Sequence, residues 1–462
     1  MLEIIRFKKY FFLLISITFF VLSACAPHQI YRTDLSLCTH SKPETECKSH
    51  ALQEFTSPNK SEEAYTLGFI EFDDQGQLHQ RAQMKSVIDH LTTQTATDDT
   101  LIVVFAHGWQ HSAAPGDSNI KTFRKSLKRL SALESAISSS NPDVSARNVF
   151  GIYLGWRGAS VTAPVVKQLS FWNRKNKAHK VGHGGVTEVL ARLEQIKETR
   201  DVMFEGESRT RLAIIGHSFG GAMIFSALSQ LLMERSIDTY GPTGQISDIR
   251  GFGNLVVLIN PAFEAERFSA LSNAASERRT YFSSQLPVLA VLTSENDKAT
   301  KYAFPIGRWF STMFEKTRTI ERKNPVTQQA ETIDQQRANR KAIGHFKPYR
   351  THYLDSTSDS AEGKEPTLEE DIQQFARVSK SWELDKPGSS IDFEGSILKR
   401  TDQSAGRNPY LIINVNKDLI ENHNDLDDPR IANFVRQLIL VSGQSRNPLE
   451  RTQIHSRAIN EK

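Results

Sequence analysis

An apolar run at residues 212–215 breaks abruptly into Gly216-His217-Ser218-Phe219-Gly220, and Gly221, Ala222, Met223, Phe225, Ala227 and Leu228 follow. A short Ile-rich run of this kind suits a strand buried on both faces, and the residues after it favour a helix. A serine between the two occupies a sharp turn with a strained backbone. Glycines are needed two positions to either side, because a side chain at either would collide with the neighbouring strand or helix. The turn projects the Ser218 hydroxyl outward. The first N–H groups of the following helix carry its positive dipole end, so an anion forming beside that hydroxyl is stabilised.

This constellation resembles the nucleophile elbow of the α/β-hydrolase superfamily, most closely its lipase and esterase branches. The resemblance implies an α/β fold with a mostly parallel central sheet flanked by helices on both faces. Residues 101–106 read as an apolar strand ending in His107-Gly108-Trp109. In the superfamily an HG-x turn at this place donates one oxyanion-hole N–H, which maps to Trp109, while Phe219 donates the other. His107 and His111 raise a metal reading, but no carboxylate or cysteine stands beside them at ligand spacing, so neither metal nor cofactor is expected.

A serine nucleophile needs a base and a carboxylate to orient it, and the resemblance implies the chain order serine, acid, histidine. His345, His352, His423 and His455 follow the serine. His423 lies between a strand at 410–415 and a helix opened by Asp428 and Pro429, whose Ile431, Phe434, Val435, Leu438 and Ile439 recur at helical spacing. That loop is where the resemblance expects the base. His345 and His352 fall in a polar, basic insertion and read as surface residues; His455 lies in a polar tail. For the acid, a strand at 288–292 runs into Thr293-Ser294-Glu295-Asn296-Asp297, and Asp297 leads because it sits just past the strand's carboxyl end. Glu295 and Glu264 are its rivals.

Strands are expected near residues 65–72, 101–106, 149–156, 212–215, 255–259, 288–292 and 410–415, with amphipathic helices at 120–137 and 186–204. Their alternation argues for a parallel sheet covered on both faces. One catalytic domain over 63–445 accounts for them, followed by a polar tail at 446–462. Two insertions interrupt it, at about 157–185 and 299–408. The first holds Phe171-Trp172 and a basic run at 174–180. The second holds Phe304, Ile306, Trp309, Phe310, Met313 and Phe314, read either as a lid over the serine or as packing onto the core. Segments at 355–367 and 384–390 read as solvated loops.

Arg6, Lys8 and Lys9 precede a thirteen-residue apolar stretch at 10–22, too short for a comfortable membrane span and suited to a signal-peptide core. Leu22-Ser23-Ala24-Cys25 resembles the lipobox of bacterial lipoproteins, which implies removal of residues 1–24 and lipidation of Cys25. Ala26 in place of an aspartate then implies an outer-membrane destination in a Gram-negative host. An uncleaved anchor, or ordinary cleavage near Ala24, is the alternative. Cys38 and Cys47 are left as an even pair in an oxidising compartment and are expected to bond. They fall in a polar tether over 25–62. A net charge of +4 over 462 residues, with no aromatics interleaved among the basic runs, offers no nucleic-acid platform. Those runs suit anionic headgroups or a solvated face.

These readings lead to a membrane-tethered serine hydrolase that cleaves a small-molecule or lipid carboxylic ester through an acyl-enzyme on Ser218. The alternative is a non-catalytic envelope protein that keeps the fold for binding or scaffolding.

Overall fold

The computed structural model describes residues 29–56, 61–140, 145–158, 174–241, 244–357 and 365–444. Twelve strands share one sheet. They are β1 (Asp34–His40), β2 (His50–Phe55), β3 (Tyr65–Glu71), β4 (Thr100–Ala106), β5 (Asn148–Gly155), β6 (Arg211–His217), β7 (Leu255–Ile259), β8 (Leu289–Ser294), β9 (His352–Ser356), β10 (Ser390–Phe393), β11 (Ser396–Arg400) and β12 (Tyr410–Val415). In space they run β1-β2-β3-β5-β4-β6-β7-β8-β12-β9-β11-β10. Pairing is parallel except where β2 meets β3 and where β11 meets β9 and β10.

The main helices are α1 (Arg81–Thr97), α2 (Ser118–Ser140), α3 (Thr187–Met203), α4 (Phe219–Ile237), α5 (Ser269–Arg278), α6 (Phe304–Ser311), α7 (Leu368–Glu383) and α8 (Pro429–Ser442). Alternation within single strands sets the layers. In β4, Ile102, Val104 and Ala106 join an apolar cluster with the inner faces of α1, α3, α4 and α5. Leu101, Val103 and Phe105 join another with α2, α7 and α8. A strand with a period of two and no polar side is stable only when helices cover both faces. The α/β-hydrolase-like architecture expected from the sequence is therefore the one observed, and all seven expected strands are present. Among the described residues no helix is long and apolar enough to cross a membrane.

Two parts of the chain fold differently from the sequence reading. Residues 34–55, expected within a polar tether, form β1 and β2 at one sheet edge. Cys38 and Cys47 are disulfide-bonded there, with their Cα atoms 6.0 Å apart. The bond closes a short loop between the two strands, and Cys38→Ser is expected to lower the unfolding free energy in urea by about 2–3 kcal/mol; an unchanged denaturation midpoint would contradict this.

The segment 299–408, expected as one insertion, instead supplies β9, β10 and β11 and extends the sheet beyond β12. These strands are short and carry charged residues on their outer faces, as in the His-Tyr-Leu-Asp-Ser sequence of β9. Such strands, of which only β10 lies at the sheet edge, lack the apolar run by which the buried ones were found. Asp385, placed by sequence in a solvated loop, is buried and paired with Arg400. Cys25, Phe171, Trp172 and His455 lie outside the described residues.

Candidate functional site

Ser218, Asp297 and His423 follow the carboxyl ends of the parallel strands β6, β8 and β12. β6 delivers Ser218 at φ 54° and ψ −116°, a conformation that costs a non-glycine residue about 1–3 kcal/mol. Its backbone is held from three sides. Ser218 N–H donates to the Ile259 carbonyl at 2.9 Å, and the Ser218 carbonyl accepts from Ala222 and Ala262, both at 3.1 Å. α4 starts at the next residue, Phe219.

The flanking glycines are there for contact. A Cβ on Gly220 would lie 2.1 Å from the Ala106 carbonyl oxygen, and one on Gly216 would lie 2.8 Å from Gly221 Cα. β4 leads into His107-Gly108-Trp109, and a Cβ on Gly108 would sit 2.8 Å from Ser218 Cβ. The HG-x turn therefore lies directly against the elbow. His107 fixes that turn. Its Nε2 accepts the Trp156 N–H at 3.1 Å, its Nδ1 faces the Gly108 carbonyl at 3.0 Å, and its carbonyl accepts from the Trp156 indole at 2.9 Å. Burial pushes the imidazole down to about 4, so it is neutral near pH 7.

The structure brings Ser218, His423 and Asp297 together. Ser218 Oγ and His423 Nε2 are 2.6 Å apart, and His423 Nδ1 and Asp297 Oδ1 are 2.9 Å apart. Asp297 is fully buried, while the His423 side chain keeps 14% of its surface exposed. Burial alone would raise the Asp297 carboxyl. Its hydrogen bond and charge interaction with His423, with the donors of Thr300, outweigh that penalty and hold it below the usual carboxylate range. Ala299 N–H at 3.0 Å, Thr300 N–H at 3.2 Å and the Thr300 hydroxyl also donate to it. A hydroxyl bonded to an imidazole whose far nitrogen faces a buried carboxylate can shed its proton as it attacks an electrophile.

The rival acids stand elsewhere. Glu295 is exposed and meets β12 through its backbone N–H. Glu264 is buried among three cations, with Lys175 Nζ in contact, Arg267 at 2.9 Å and Arg308 at 3.0 Å. Burial opposes its charge, but Lys175, Arg308 and Arg267 overcome that and hold its carboxyl at about 2. One carboxylate does not offset three cations, and burial pushes the Lys175 ammonium down to about 8.

Two histidines read as surface residues are not. His352 is buried at the start of β9, its Nδ1 2.7 Å from the Thr351 hydroxyl. His345 packs behind the acid, its Nε2 3.0 Å from Thr300 Oγ1, and burial pushes it down to about 4. Both were misplaced because a polar, basic neighbourhood in sequence says nothing about the sheet edge that later covers it. A carboxylate also meets His111 after all, with Asp117 Oδ1 at 3.0 Å from Nδ1. Among the described residues no three His, Cys, Asp or Glu side chains group as a metal site.

Sequence reasoning missed the clamp on the His423 loop. The His423 carbonyl accepts His217 Nε2–H at 2.9 Å and Asn260 Nδ2–H at 3.1 Å. His217 is fully buried and pushed down to about 3 by that burial, so it donates as the neutral tautomer with Nε2 protonated. Asn260 Oδ1 in turn accepts from Ser294 N–H at 2.9 Å, tying the tips of β7 and β8 to the loop. The only sequence signals were the position of His217 inside the elbow and the Asn260-Pro261 pair directly after β7.

Residues 79–345 match the family described as alpha/beta hydrolase of unknown function (DUF900), and the chain belongs to it. The matched span includes Trp109, Ser218 and Asp297 but ends before His423. No curated protein and no solved structure matches the chain.

Proposed function

Proceeding from that membership, we propose that the chain is a membrane-anchored serine hydrolase that cleaves carboxylic esters. The observation that carries the reading is the continuous path from Ser218 Oγ through His423 to a buried, ionised Asp297. Ser218 Oγ attacks the ester carbonyl carbon as its proton passes to His423 Nε2. Asp297 holds the imidazole by Nδ1–H and stabilises the imidazolium. The amides of Phe219, at the α4 N-terminus, and of Trp109, in the turn packed against the elbow, face the developing oxyanion. The intermediate expels the alcohol, which takes the proton from His423, and leaves an acyl group on Ser218. Water then attacks that acyl carbon and gives its proton to His423. Collapse releases the acid, and the proton returns to Ser218.

Membrane anchoring rests on the basic residues, the apolar stretch at 10–22 and Leu22-Ser23-Ala24-Cys25 at the N-terminus. Cys25 would carry the lipid, and several acyl chains anchor far more firmly than one. An outer-membrane location in a Gram-negative host follows from Ala26 at the next position.

A fluorophosphonate reagent tests the chemistry. Wild-type protein is expected to be labelled and Ser218→Ala to stay unlabelled under the same conditions. Folded wild-type protein that resists the reagent would point to the binding or scaffolding alternative.

A further inference from the structure

The start of β1 and an exposed apolar face lie on the same edge of the sheet as Ser218. β2 runs antiparallel to β3, and β1 runs with β2. The beginning of β1 therefore sits at the carboxyl edge of the central strands. The contacts of the preceding residues agree. Tyr31 and Arg32 donate their backbone N–H groups to the carboxylate of Glu71, the last residue of β3, and Arg32 Nε donates to the Ala113 carbonyl beyond the HG-x turn. Five residues separate Cys25 from Tyr31. Fully extended, they span no more than about 20 Å.

α6 leaves the same edge. The Asp297 carboxylate accepts the N–H groups of Ala299 and Thr300, where the turn leading into α6 begins. Phe304 and Thr312 are buried on its inner side, and Arg308 ties it to Glu264. Tyr302, Ile306, Trp309 and Phe310 recur on the opposite side, and Met313 and Phe314 continue it. Trp309 is 47% and Phe314 94% exposed. These side chains thus do not pack onto the core. Lys298, Lys301, Lys316 and Arg318 are exposed along this segment, and Glu315 is the one acid between them, with exposed Glu295 just before Lys298. An apolar face collared by cations suits insertion among anionic headgroups.

We propose that this edge docks on a lipid bilayer through the outer face of α6 and the turn after it, so that the catalytic edge faces the membrane and draws its ester substrate from the lipid phase. The inference rests on the proposed lipidation of Cys25 and ester chemistry at Ser218. The short connection to the anchor keeps the edge near the surface, and α6 sets its orientation. Because α6 begins beside Asp297, bilayer contact is also contact with the segment that orients the acid.

The test uses the full chain reconstituted in vesicles of phosphatidylethanolamine and brominated phosphatidylglycerol. Bromine within the acyl region is expected to quench wild-type tryptophan emission, and Trp309→Phe is expected to lose that quenched share. Equal fractional quenching of the two proteins overturns the proposal. In the Phe310→Asp/Phe314→Asp variant, turnover of a long-chain 4-methylumbelliferyl ester held in the same vesicles is expected to fall about tenfold, with turnover of soluble 4-methylumbelliferyl acetate unchanged. Equal loss on both substrates, or no loss on either, overturns it. So does a wild-type dimer in detergent that this variant dissolves, which would assign the face to a second copy. A wild-type chain that fluorophosphonate does not label would sink the hydrolase reading while the quenching still reports on docking. An N-terminal peptide whose mass shows no lipid on Cys25 would remove the tether that keeps this edge near the surface, and would overturn the proposal.

Discussion

Ser218→Ala and His423→Ala are each expected to lower kcat by about 10⁵–10⁶-fold, and the double variant to cost little more than either alone. The reason is that the two groups act as one unit. Without the imidazole 2.6 Å away, the hydroxyl keeps its proton and is a poor nucleophile; without the hydroxyl, the imidazole has nothing to activate. The Phe219 and Trp109 amides, proposed to bind the oxyanion, survive both changes and are expected to retain a residual acceleration. Steady-state kinetics on a soluble ester, with circular dichroism to show that each variant is folded, provide the measurement. Two independent losses that multiply in the double variant would mean that Ser218 and His423 do not share a step.

Glu264→Gln is expected to destabilise the protein by about 3–5 kcal/mol without touching the relay. Lys175, Arg267 and Arg308 would lose their common counter-charge in a buried site, and α6 would lose its tie to the loop after β7. The pH dependence follows from the same group. The Glu264 carboxyl stands at about 2 in the folded chain against an ordinary 4.5. A lowered folded value means that the stability contribution is fully present above about pH 4.5 and fades as pH falls toward 2. The difference corresponds to about 3 kcal/mol. Urea unfolding of the wild type is therefore expected to weaken across that window, and Glu264→Gln to lack this part of the slope. Superimposable acid limbs for the two proteins would contradict the assignment.

The elements that sequence revealed were those with a local physical signature. β4, β6, β7, β8 and β12 carry apolar runs with no polar side, and burial between two helical layers is what such runs require. β9 to β11 were missed because each alternates polar and apolar residues over only four or five positions, a pattern that loops share. β1 and β2 were hidden for a similar reason, since Asp34, Ser36, Thr39 and Glu54 make the segment look solvated. Glu264 shows the same limit in the site. It follows a buried strand in the same way as Asp297, and only the approach of Lys175 and Arg308 from distant segments makes it an ion-pair centre.

By itself the sequence determined the strand, the strained turn and the helix around Ser218, the HG-x turn after β4, and the apolar alternation that demands a two-layered sheet. Each of these depends on sterics and side-chain chemistry within a few residues. Tertiary structure decided which histidine meets the serine, 205 residues away, and which carboxylate meets that histidine, 126 residues away. It alone hung the His423 carbonyl on His217 and Asn260, placed His345 behind the acid, and brought the start of β1 and the outer face of α6 to one edge. Those outcomes depend on strand order and direction, and neighbouring residues along a chain carry no record of either.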